Sequence, residues 1–125
     1  MTEERHELSL RPQPVEVARA RRHVAEVFDD VDDDTRSTLQ VLTSEVVTNA
    51  IAHAGGDIVL CATRSPGKAH VEVRDISSQE PLLGLPDTDA EHGRGLLLLD
   101  ALAAAWGVRP LPGRRGKAVW FTLPV

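Results

Sequence analysis

An α/β domain, built as an α+β two-layer sandwich with one mixed, mainly antiparallel sheet and helices on one face, is the fold class this sequence predicts. Three observations predict it. Two stretches, one through Val17, Ala20, Val24 and Val27 and one through Leu39, Leu42, Val46 and Ala50, space their apolar residues as amphipathic helices do. Two others, DIVLCATR and AHVEVRD, read as strands joined by SPGK, a turn of hairpin length that makes the pair antiparallel. A last pair, WGVRPL and KAVWFTLPV, flanks the turn PGRRG. The 125 residues fit a single domain, 1–125, and a chain of this size buries roughly 65% of its unfolded surface without staples.

Taken in order, HELSLRP alternates enough to be a short first strand, and its charges and prolines at 12 and 14 suit an edge. A helix starts at Pro14, which fits a first turn, and carries the apolar spacing to Val31. The acidic loop DDVDDD follows, with Asp34 or Thr35 placed to cap a second helix that runs to the stop signal Gly55-Gly56. In the second strand of the hairpin Val71 and Val73 share a face, while His70, Glu72 and Arg74 point the other way. Asp75 falls on the valine side. ISSQEPLLGLPDTDAEHGRG has no clear periodicity and reads as a long loop, a kind that is usually functional or mobile. It ends in Gly93-Arg94-Gly95 and leads into a helix from Leu96 to about Ala105, closed by Gly107. Lys117, at the start of the last strand, reads as a surface residue.

Composition narrows the function classes. With 42% apolar and 26% charged residues the chain is globular, and its net charge of −5 argues against nonspecific nucleic-acid or membrane binding and favours a partner with a basic patch. Cys61 is the sole cysteine, so no intramolecular disulfide forms; it reads as a core thiol in a reducing compartment. The longest apolar run, GLLLLDALAAAWGV, is interrupted by Asp100 and is shorter than the ~20 residues that span a bilayer. MTEERHEL has no signal-peptide core, and the expected location is the cytoplasm. Five scattered histidines and one cysteine offer no zinc spacing.

Three features ask for a common explanation. Within SEVVTNAIAHAGG, Glu45, Asn49 and His53 recur every fourth residue and form one ridge of the helix, Asn49 and His53 lying within roughly 20° of Leu42. Polar groups beside a core need partners, because an unpaired buried one costs about 1–3 kcal/mol. Asp75 reaches the buried side of a strand end, and a glycine-flanked loop feeds a helix N-terminus. A nucleotide satisfies all three. Helix-terminal amides and glycines receive phosphates, an amide oxygen such as that of Asn49 ligates magnesium, and a core-side carboxylate accepts a hydrogen bond from adenine's amino group.

SEVVTNAIAHAG, VEVRD and GRGLLLLDALAAAWGV…GKAVWFTLP, in that order, resemble the GHKL-type (histidine-kinase-like) ATPase domain of gyrase, histidine kinases and mismatch-repair ATPases. The nearest likeness is to the anti-sigma factor serine/threonine-protein kinases, over roughly residues 10 to 124. The resemblance implies a GHKL ATPase-like fold that binds ATP and Mg2+, with Glu45 as general base, Asn49 as magnesium ligand and Asp75 reading adenine. Gly93 and Gly95 would hinge a lid over the phosphates. Arg94 would reach a phosphate or point to water, and His53 would touch nucleotide or pack at the helix end. The implied activity is phosphorylation of a serine or threonine on an antagonist (anti-anti-sigma) protein, controlling a sigma factor by partner switching; such proteins often form homodimers.

Two departures favour a second reading, a catalytically inactive partner-binding regulator with a degenerate or structural nucleotide site. Ile76 and Ser77 stand where the family usually has glycine, and Ala118 where it has a threonine supporting the aspartate. A histidine-kinase catalytic domain is a third reading, but no helical pair surrounds His23 to make it a phosphoacceptor.

Overall fold

The computed structural model of this chain describes residues 3–53, 56–75, 97–112 and 116–125. The stretch after Asp75 that the sequence predicts as a long loop, with Ile76, Ser77, Gly93, Arg94 and Gly95, lies outside the described residues, as does Gly55.

The described elements are β1 (Glu4–Leu10), α1 (Glu16–Val27), α2 (Asp33–His53), β2 (Ile58–Ser65) and β3 (Lys68–Asp75), then a helical segment α3 over 97–102, β4 (Ala105–Pro110) and β5 (Lys117–Pro124). The strands form one sheet in the order β1-β2-β3-β5-β4, and each of the four described pairings is antiparallel. The sheet follows from two hairpins. β2 turns into β3 through Gly67, whose φ of 75° suits a residue without a Cβ. β4 pairs with β5, and β5 inserts beside β3.

The two helices pack on each other and cover one face. Leu10, Ala20, Val24, Phe28, Leu39, Leu42, Val46 and Ala50 meet Ile58, Leu60, Ala62, Val71, Val73 and Phe121 in one buried core. Arg64 closes it at the end of α1: its guanidinium sits 5.7 Å from the centroid of the Phe28 ring, donates to the Val27 carbonyl at 3.0 Å and pairs with Asp30.

Several boundaries differ from those expected. α1 runs over Glu16–Val27 rather than from Pro14 to Val31, and closes at Phe28, whose amide donates to the Val24 carbonyl at 3.1 Å. Asp32, rather than Asp34 or Thr35, caps α2, accepting from the Thr35 amide at 2.7 Å and the Thr35 hydroxyl at 2.9 Å. α3 ends near residue 102, not Ala105, because the Ala104 amide donates to the Thr122 carbonyl at 2.9 Å and β4 begins there. Alanine's helix propensity yields to sheet pairing. Gly107 therefore lies inside β4 rather than closing a helix. A Cβ there would stand 2.9 Å from the Trp120 indole, so glycine makes room for that ring.

The other sheet face is polar. Glu72, only 5% exposed, accepts from Arg74 at 2.7 Å and from Arg109 at 2.8 Å, and His70 stacks on Trp120 at 5.7 Å. Cys61 is buried as expected, but on this polar face beside Arg5 and Glu7 and not in the helix-covered core; burial pushes its thiol pKa up. Burial also pushes the Glu72 carboxyl up, yet the hydrogen bonds and charges of Arg74 and Arg109 outweigh it and hold the group below the usual carboxylate range. A carboxylate lowered by folding contributes stability above its unfolded pKa and loses it as pH falls through the folded value. Glu72→Gln is expected to melt below wild type at about pH 7, with the gap closing toward roughly pH 3. Melts that leave the gap constant across that range would show that the two ion pairs contribute nothing.

Candidate functional site

Chain connectivity gathers the candidate residues at one end of the sheet. α2 ends at His53, and residues 54–57 carry the chain directly into Ile58, the first residue of β2. Ile58 pairs with Asp75, the last residue of β3, and Asp75 in turn pairs with Lys117, the first residue of β5. The C-terminal end of α2, the end of β3 and the start of β5 thus come to one place.

The side chains divide as the helical angles require. α2 packs on β2, β3 and β5 through Leu39, Leu42, Val46 and Ala50, all buried. Glu45 and Asn49 are half-buried at the border of that packed stripe, and His53 is exposed in the last turn. Asp75 is 7% exposed. Its parity in β3 is that of Val71 and Val73, so it points to the helix-covered side, as its place in the sequence predicts.

Gly116 shapes the same corner. Its φ is 116°, and a Cβ built on it would stand 2.0 Å from the Asp75 backbone carbonyl oxygen. Only glycine lets the β4–β5 turn come this close to the strand end that carries Asp75.

Lys117, read from the sequence as a surface residue, is half-buried at the same corner. It shares parity with Val119, Phe121 and Leu123, the inward side of β5, and stands directly across from Asp75. The alternation was legible in KAVWFTL, where lysine occupies the first apolar-parity position. Ala118, by contrast, pairs with Arg74 and belongs to the polar face. It stands on the far side of the sheet from Asp75, so its lack of a hydroxyl takes nothing from the side on which Asp75 lies.

The predicted glycines and Arg94 lie outside the described residues. Among the described residues, no group of three His, Cys, Asp or Glu side chains could hold a metal ion unaided, and no helix is long and apolar enough to cross a membrane. A cleft of about 610 Å³ opens at the opposite end of the sheet, lined by Asp30, Asp32, Arg64 and the β2–β3 turn. Its charged groups already serve the fold: Arg64 pairs with Asp30, and Asp32 caps α2.

A family model described as a histidine kinase-like ATPase domain matches residues 10–123, nearly the whole chain. No curated protein matches it.

Proposed function

The chain belongs to the histidine kinase-like ATPase domain family, and from that premise we propose that it is an ATP-binding regulator of anti-sigma-factor type. It would phosphorylate a serine or threonine on an anti-anti-sigma protein and so control a sigma factor by partner switching, in the cytoplasm. The observation that carries this reading is the corner just described. Glu45 and Asn49 border the packed face of α2, and a buried Asp75 arrives at the sheet end where α2 finishes.

The donor set suits a magnesium nucleotide. Asn49 offers one amide oxygen, and magnesium, which keeps waters and phosphate oxygens in its shell, needs little more from the protein. When bound, the ion draws the phosphate oxygens together and offsets their charge. Asp75 accepts from the exocyclic amino group of adenine. Glu45 takes the proton of the attacking hydroxyl as its oxygen bonds to the γ-phosphorus and the bond from that phosphorus to the bridging oxygen breaks, releasing ADP. By resemblance Gly93, Arg94 and Gly95 would meet the phosphates, and His53 would lie beside the nucleotide. A homodimer would fit the same reading.

Label transfer tests it. Incubated with γ-labelled ATP, magnesium and cell extract fractions, wild type should label a protein on serine or threonine, and Glu45→Ala should do so about 10²- to 10⁴-fold more slowly, as loss of a general base does. Equal labelling by both proteins would remove Glu45 from the chemistry. Nucleotide binding without labelling in any fraction would leave the inactive partner-binding regulator as the better reading.

A further inference from the structure

We propose that Lys117 reads the base of the nucleotide together with Asp75, a role that rests on the nucleotide site proposed above. The observation is register. Lys117 and Asp75 are direct cross-strand partners on the helix-covered side, and such partners hold their Cβ atoms about 4.5–5.5 Å apart. Asp75 is buried, whereas Lys117 is half-buried, at the margin where the corner opens. Gly116, pressed against the Asp75 carbonyl, fixes the start of β5 against the end of β3. The spacing of the two side chains is therefore set by the backbone.

Chemically the pair is one acceptor beside one donor. A carboxylate only accepts, and an ammonium only donates. Adenine presents the matching edge, an amino group that donates and, next to it, the ring nitrogen N1 that accepts. Asp75 takes the amino hydrogen and Lys117 donates to N1. Lysine suits the task because its ammonium is a compact point donor on a flexible stem, whereas guanidinium is a planar fork. The chain has only two lysines against twelve arginines, and one of the two stands here.

The edge of guanine offers the reverse order, an oxygen acceptor beside a ring N–H donor. The pair can meet it only by shifting the base sideways within the corner. Adenine is thus preferred, and Lys117 is the residue that makes N1 matter.

Equilibrium binding of ATP, ADP and the 1-deaza analogue of ATP, in which N1 is replaced by C–H, tests this with wild type and Lys117→Met. Wild type should lose about ten- to hundredfold in affinity for the 1-deaza analogue relative to ATP, the worth of one hydrogen bond to a charged donor. Lys117→Met should bind ATP more weakly by a similar factor and no longer distinguish the two nucleotides. A loss in Lys117→Met that is larger for ATP than for ADP, with discrimination at N1 intact, would place the ammonium on a phosphate and overturn the proposal. Equal affinities of wild type and variant for all three would show that Lys117 faces solvent, while leaving the site itself standing. No binding of ATP or ADP to folded wild type would overturn both readings. Melting without nucleotide checks the fold of the variant, and Lys117→Leu, which also lacks a donor, replaces it if methionine unfolds the strand end.

Discussion

Gly116→Ala is expected to melt roughly 10 °C or more below wild type, a destabilisation of about 3 kcal/mol or greater. Two costs add. At φ 116° any residue with a Cβ is strained, by about 1–3 kcal/mol. The new methyl would also stand 2.0 Å from the Asp75 carbonyl oxygen, a backbone atom that cannot swing aside. The chain must then part β5 from β3 at the end that carries Asp75 and Lys117. Two glycines serve as controls. Gly67 has φ 75° but open space, so Gly67→Ala should cost only about 1–2 kcal/mol; Gly56 has neither a positive φ nor any atom within 4 Å of a built Cβ, and Gly56→Ala should be close to neutral. Calorimetric melts of the three variants check the order. A Gly116→Ala protein that melts with wild type would mean that the corner tolerates a looser junction than the site requires.

The helices and the central hairpin were legible because periodicity states them outright. Val24, Leu39, Leu42 and Val46 have no other way to be buried together, and the alternation of VEVRD places Asp75 on the core side without reference to any other strand. Boundaries were less legible. The cap at Asp32 was hidden in a run of five aspartates, 29, 30 and 32 to 34, where composition cannot choose and hydrogen-bond geometry can. The end of α3 was overrun because the alanines of ALAAAW favour helix, while the competing partner, the Thr122 carbonyl, is far along the chain. Lys117 and Ala118 show a narrower limit. The alternation of KAVWFTL tells which of the two faces the helix-covered side, but that Lys117 stands opposite Asp75 depends on the register of β3 with β5.

Asn49→Ala is expected to abolish magnesium-dependent nucleotide binding while leaving the fold intact. Asn49 is half-buried rather than enclosed, and alanine is the best helix former, so α2 should not suffer. The loss should fall on the ligand. Without the amide oxygen, magnesium has no anchor on α2, and the triphosphate approaches Glu45 with its charge unoffset. ADP without magnesium, held mainly by Asp75 and Lys117 in this account, should bind wild type and variant alike.

The central claim, a magnesium-nucleotide site where α2 ends beside Asp75, meets its most direct test in thermal melts of wild type and Asn49→Ala with and without millimolar ATP and magnesium. A ligand that binds only the folded state stabilises it by RT ln(1 + [L]/Kd), about 2.7 kcal/mol at a hundredfold excess over Kd, which raises the melting temperature by several degrees. The account predicts that shift in wild type and its loss in Asn49→Ala. The absence of any shift in folded wild type, or a shift of the same size in both proteins, would contradict it.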